Sequence, residues 1–138
     1  MTRNLLIVED NPALGVMLGW QLEAQGWIVR IAHDCREALA AMQRGPYRLV
    51  LFDYHLPDGN GLDLFRRLRG LQPGLEGVLM TGDRSVEPAV ETMDAGVRGV
   101  LRKPVWTAQL AALMTRILDG RYTPDNPGRT SPAGRASG

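Results

Sequence analysis

The run Arg48-Leu49-Val50-Leu51-Phe52-Asp53 decides how this chain folds. Four consecutive large apolar residues cannot alternate between a core and solvent. They read as a strand covered on both faces, as in a parallel sheet. The run stops on a carboxylate, and Tyr54-His55-Leu56-Pro57-Asp58-Gly59 follows with the composition of a turn-rich loop. Asp53 is therefore expected at the carboxyl end of a buried strand, the edge at which open α/β sheets collect their ligands.

Working outward, other runs end in the same way. Asn4-Leu5-Leu6-Ile7-Val8 runs into Glu9-Asp10, Gly77-Val78-Leu79-Met80 into Thr81-Gly82-Asp83, and Val97 to Leu101 into Arg102-Lys103-Pro104. Trp27 to Ala32 is also strand-like. Between these lie helical patterns. Asn11 caps a first helix with Pro12 at its first position, running to about Gln25 with Leu14, Met17, Leu18 and Leu22 inward, and Gly26 stops it. Asp34 caps a second, to about Arg44, with Ala38, Leu39 and Met42 inward, and Gly45-Pro46 breaks it. Leu62, Leu64, Phe65 and Leu68 mark a third, closed by Gly70 to Gly74. Ser85 caps a fourth through about Ala95, with Pro88 tolerated in its first turn, and Gly96 ends it. Thr107 caps a fifth, to about Asp119, whose inner face is Leu110, Leu113, Met114 and Ile117. Five strands alternating with five helices predict an α/β fold, a doubly wound parallel sheet with right-handed crossovers.

At 138 residues the chain is one domain with room for a core. Residues 1–119 form that domain. Residues 120–138, rich in Gly, Pro, Arg, Ser and Thr, have little to bury and read as a disordered tail or linker. A net charge of +1 favours neither nucleic acid nor membrane, and no direct nucleic-acid binding is expected. The lone Cys35 has no internal disulfide partner. No stretch approaches the ~18 apolar residues of a membrane helix, and the N-terminus lacks a signal-peptide pattern, so the expected location is cytoplasmic.

A parallel sheet brings Glu9, Asp10, Asp53, Thr81 and Lys103 to one edge. Crowded carboxylates repel, and some would stay protonated unless a cation sat among them. Hard oxygen ligands with open water positions suit Mg2+, or Mn2+ in its place. A lysine and a hydroxyl beside such a metal make a phosphoryl site, with Asp53 the candidate nucleophile forming an acyl phosphate. Lys103 is the only lysine, every other basic position being arginine. A compact ammonium is not interchangeable with a planar guanidinium, which singles that position out.

Glu9-Asp10 after an Ile-Val strand, Asp53 followed by Leu56-Pro57-Asp58-Gly59, Thr81 after Leu-Met, and Lys103-Pro104 after the last strand together resemble the receiver domain of two-component response regulators. The resemblance covers about residues 3–119. It implies a flavodoxin-like (βα)5 sheet in the order 2-1-3-4-5. It implies transfer of a phosphoryl group to Asp53 from phosphohistidine on a sensor histidine kinase or a histidine phosphotransfer protein. It also implies metal ligation by Glu9, Asp10, Asp53 and the His55 backbone carbonyl, a switch hydroxyl on Thr81, a phosphate-binding Lys103, and a cis Lys103-Pro104 bond. His55 and Asp83 match positions that tune dephosphorylation. Val100 departs from the family, which usually carries Tyr or Phe there as part of the switch.

Other surfaces are less pointed. Val16 and Trp20 lie off the apolar face of the first helix, and an exposed Trp can anchor an interface; the resemblance implies that a kinase docks partly through that helix. The fourth helix, fifth strand and fifth helix form a face on which receivers dimerise, with Arg98 and Arg102 set against Glu91 and Asp94 of a second copy. Three other readings compete with the phosphorylation switch. An aspartate-nucleophile phosphohydrolase would carry an acid where this chain has His55. A dinucleotide-binding domain would need a glycine-rich first turn. A receiver-like interaction module no longer controlled by phosphorylation would not need the acids and lysine that are present here.

Overall fold

A computed structural model describes residues 3–82 and 96–119. Asp83, the predicted fourth helix and the segment 120–138 lie outside the described residues. Five parallel strands form one sheet in the order β2-β1-β3-β6-β7. These are β1 (Asn4–Val8), β2 (Ile28–Ala32), β3 (Leu49–Asp53), β6 (Glu76–Thr81) and β7 (Val97–Arg102). In chain order that is 2-1-3-4-5, as the resemblance implied. Two short strands, β4 (His55–Leu56) and β5 (Gly59–Asn60), pair antiparallel as a hairpin beside the sheet.

Burial follows the apolar runs. All five residues of β3 are buried, and its pleat divides them between two cores. Val50 and Phe52, with Leu6 and Val8 of β1, pack under α2 (Cys35–Ala41) and α3 (Gly61–Leu71). Leu49 and Leu51, with Leu5 and Ile7, pack under α1 (Pro12–Glu23) and the C-terminal helix (Thr107–Leu118). The sheet is thus covered on both faces, which the unbroken apolar runs require.

The helices match the sequence pattern with two corrections. In α1 the inward face is Gly15, Leu18, Gly19 and Leu22, while Met17 is exposed and Leu14 only half-buried. A Cβ on Gly15 or Gly19 would sit 3.4 Å and 3.5 Å from Ile31, so the helix lies close on the edge strand through its glycines. An apolar-periodicity reading counts glycine as blank and turns the helix toward Met17. The last helix is capped at Trp106 without a side-chain bond, and Thr107 is its first helical residue rather than its cap. Its predicted inner face is buried. Asn11, Asp34 and Asn60 cap α1, α2 and α3 through side-chain oxygens. The second helix tightens to a 3-10 turn over Met42–Arg44. Leu39 and Met42 are half-buried against the core.

Candidate functional site

The parallel register carries the strand ends to one rim. Val8 pairs with Phe52, Asp53 with Met80 and Thr81 with Arg102, so the residues just beyond them crowd together. Glu9 is wholly buried, Asp53 and Thr81 nearly so, and Asp10 is exposed. One carboxylate oxygen from each of Glu9, Asp10 and Asp53 lies within 4.8 Å of the others. Lys103 is brought to them by a backbone bond from its N–H to the Thr81 carbonyl, 2.9 Å, and the Lys103-Pro104 peptide is cis. A second cis bond, Gly45-Pro46, lies on the opposite side and was not foreseen.

The Lys103 ammonium sits between two acids, 2.7 Å from Glu9 Oε1 and 2.7 Å from Asp53 Oδ2. The other Glu9 oxygen accepts the Asn11 N–H at 3.0 Å. Burial is the chief reason the Glu9 carboxyl is held above its usual range; the bonds from Lys103 and Asn11 oppose it, and Asp53 adds a smaller repulsion. Burial also works against the charged Lys103, but its bonds to Asp53 and Glu9 outweigh this and its pKa is raised. Sequence reasoning expected mutual repulsion to dominate among the acids. At Glu9, removal from water is the larger effect.

With three carboxylates around one ammonium, the ionised cluster carries an excess of two negative charges. Two of its acids are buried and one faces water. That donor set fits a hard divalent cation keeping several water ligands, and it fits no soft-ligand metal.

The loop after Asp53 is tightly built. Tyr54 N–H donates to the Met80 carbonyl at 3.1 Å, and Gly61 N–H donates to the Tyr54 carbonyl at 2.7 Å. A Cβ on Gly61 would overlap the Asp53 carbonyl oxygen, so only glycine fits. His55 is exposed in β4, its ring edge-on to Tyr54 with centroids 4.8 Å apart. Val100 is half-buried in β7 and helps line a groove of about 490 Å³ with Gln109, Ala112 and Leu113 of the C-terminal helix. Asp83 is outside the described residues. Sequence reading did not anticipate the closeness of Gly61 to Asp53, nor that the Asp58 carboxylate accepts the Cys35 and Arg36 N–H groups of α2. A glycine opening a helix pattern just after Asn60 was the one available signal for the first.

Residues 5–115 match the model of the response regulator receiver domain. The chain is 36% identical over 100 residues to the probable transcriptional regulatory protein TcrX of Mycobacterium tuberculosis, an alignment covering 72% of this chain and 43% of that protein. It is 35% identical over 124 residues to the transcriptional regulatory protein YkoG of Bacillus subtilis, covering 88% and 54%. It thus spans about half the length of these relatives. Among solved structures, a CheY-like receiver domain protein from Methanospirillum hungatei JF-1 superposes with a TM-score of 0.81 at 32% identity, covering 88% of this chain and 97% of that one. The sheet order, the acidic rim and these likenesses agree: the chain belongs to the response regulator receiver domain family.

Proposed function

We propose that this receiver is a phosphorylation-operated switch in which Asp53 accepts a phosphoryl group from a phosphohistidine. The observation that carries the reading is the contact of Lys103 Nζ with Asp53 Oδ2 inside a cluster of three acids. Glu9, Asp10, Asp53 and the His55 carbonyl would hold Mg2+ or Mn2+. When bound, the ion supplies charge screening between the Asp53 carboxylate and the incoming phosphoryl oxygens.

In the transfer, an Asp53 carboxylate oxygen forms a bond to phosphorus while the bond from phosphorus to the donor imidazole nitrogen breaks. The freed imidazole keeps the electron pair and takes a proton. Lys103 exchanges its bond to Asp53 for one to a phosphoryl oxygen, and Thr81 donates from its hydroxyl to another. The new dianion then biases the loops around Thr81 between two arrangements. His55 and Asp83 set how long the acyl phosphate lasts; decay unchanged in both His55→Ala and Asp83→Ala variants would remove them from that role.

The donor is a sensor histidine kinase or a histidine phosphotransfer protein, and the setting is cytoplasmic. Among the described residues no helix is long and apolar enough to cross a membrane. Val16 and Trp20 are exposed on α1, as a docking surface for the donor needs. A dimer through the predicted fourth helix, β7 and the C-terminal helix is the family's alternative surface. Arg98, one of the residues proposed to pair across it, is engaged within its own chain by Glu76 at 3.5 Å, which weakens that pairing. Residues 120–138 would serve as a tail or linker.

The reading is tested by incubating the chain with a small-molecule phosphodonor, with and without Mg2+, and measuring intact mass. The expected result is a single metal-dependent phosphoryl addition. No addition, with or without metal, would return the chain to the class of interaction modules.

A further inference from the structure

Three amides at the start of α2 are taken by carboxylate oxygens. Glu37 N–H donates to Asp34 Oδ1 at 2.7 Å, as an N-cap in the adjacent sequence provides. The other two are taken by Asp58, far away in sequence at the tip of the β4–β5 hairpin. Cys35 N–H donates to Asp58 Oδ1 at 2.8 Å and Arg36 N–H to Asp58 Oδ2 at 3.1 Å. Asp58 therefore grips the helix with both oxygens, where its negative charge also meets the positive end of the peptide dipoles. These bonds hold its carboxyl below the ordinary range, the Cys35 N–H being the largest cause.

The hairpin also meets that helix at Cys35. Leu56 is buried in the same core as Cys35, and a Cβ on Gly59 would come within 3.2 Å of Cys35 Sγ. Leu56 pairs with Gly59 beside the Pro57-Asp58 turn, and His55 pairs with Asn60 on the second rung below it. The position of the His55 backbone is thus set at one side by the Asp53 strand and at the other by whatever fixes the hairpin tip.

We infer that Asp58 is a positioning residue for the metal site: by clamping the hairpin tip to the first two amides of α2, it holds the His55 carbonyl where a cation between Glu9, Asp10 and Asp53 can use it. This rests on the metal-binding reading given above. Asp58 never touches the ion; it acts through the rigidity of the loop that follows Asp53. Coupling of this kind is reciprocal. If the clamp tightens cation binding, cation binding must tighten the clamp by the same factor.

The test is the Mg2+ dissociation constant of wild type, Asp58→Ala and Asp58→Asn, measured by calorimetry well below the melting temperature of each, together with amide hydrogen exchange at Cys35 and Arg36. Asp58→Ala is expected to weaken binding about tenfold, the lower end for residues that orient metal ligands. Asp58→Asn should recover part of this, because its amide oxygen can still accept one N–H. In wild type, Mg2+ should slow exchange at Cys35 and Arg36. A lowered melting temperature with unchanged Mg2+ affinity in both variants, and exchange indifferent to Mg2+, would overturn the clamp and leave Asp58 a helix cap. Wild type failing to bind Mg2+ at all would overturn the metal-binding reading itself, and the clamp with it.

Discussion

The two rims of the sheet both carry charge, and they resolve it in opposite ways. At the amino rim, Glu76 at the start of β6 is shared by Arg48 and Arg98, and Arg48 also donates to the Ile117 carbonyl of the C-terminal helix at 3.4 Å. Nearby, Gln72 and Tyr47 exchange two bonds, Tyr47 N–H to Gln72 Oε1 at 3.0 Å and Gln72 Nε2 to the Tyr47 carbonyl at 2.6 Å. Every one of these contacts joins segments more than twenty residues apart in the chain. At the carboxyl rim, three acids surround one lysine and the most buried of them, Glu9, is held against its preference for water. A guanidinium in excess can spread over carbonyls and water at modest cost, whereas a buried carboxylate in excess needs a cation from outside. The amino rim is therefore a fastening, and the carboxyl rim is the candidate site for a cation.

The comparison breaks first at Gly61. A side chain there collides with the Asp53 backbone itself, so Gly61→Ala is expected to destabilise the fold by about 3 kcal/mol, as overpacking against an unyielding backbone does. Urea unfolding measures it, and a loss below about 1 kcal/mol would mean the loop gives way more easily than its bonds indicate.

Asp10→Asn sharpens the contrast. Asp10 is exposed and holds no core together, so its loss should leave stability nearly unchanged while weakening Mg2+ binding by roughly tenfold, about 1.4 kcal/mol. Calorimetric titration beside thermal melts separates the two. At the other rim Glu76→Gln should do the reverse. It should cost about 1–2 kcal/mol of stability, since the pair is mostly shielded from solvent, with no change in Mg2+ affinity. Equal effects of the two substitutions on metal binding would erase the distinction between the rims.

The smallest effect is a pH dependence. The Glu9 carboxyl is raised above its usual value of 4.5, so its contribution favours the fold at low pH. That contribution is fully present below the unfolded pKa and is lost as pH rises through the higher folded value. In metal-free protein, Glu9→Gln should therefore flatten the decline of stability with pH above about 4.5. Melting temperatures of the two proteins across the weakly acidic range test this, and parallel curves would show that Glu9 ionises without strain.

How much of this was legible depended on whether a residue declares itself by type or by geometry. Leu49 to Asp53 announced a two-sided strand because apolar runs have few other uses, and Glu9, Asp53, Thr81 and Lys103 announced a site because each stands at a strand end. Gly15 and Gly19 stayed silent: a glycine that lets a helix approach a strand looks the same in sequence as one that breaks a helix. The same blindness misassigned Met17. Thr107 has the chemistry of a cap but was placed one residue too early in role, and helix ends are decided by the preceding loop. Asp58 read as turn chemistry because its partners, Cys35 and Arg36, are distant in the chain and are backbone amides, which no side-chain pattern can advertise.

On the proposed function, the negative excess at the carboxyl rim serves to bring a phosphoryl group onto Asp53. Peptide mapping of the chain after reaction with a small phosphodonor and Mg2+ tests it most directly. The expected result is the added group on the peptide carrying Asp53, and its disappearance in Asp53→Ala. A group mapped to any other residue, or an addition that survives Asp53→Ala, would contradict it.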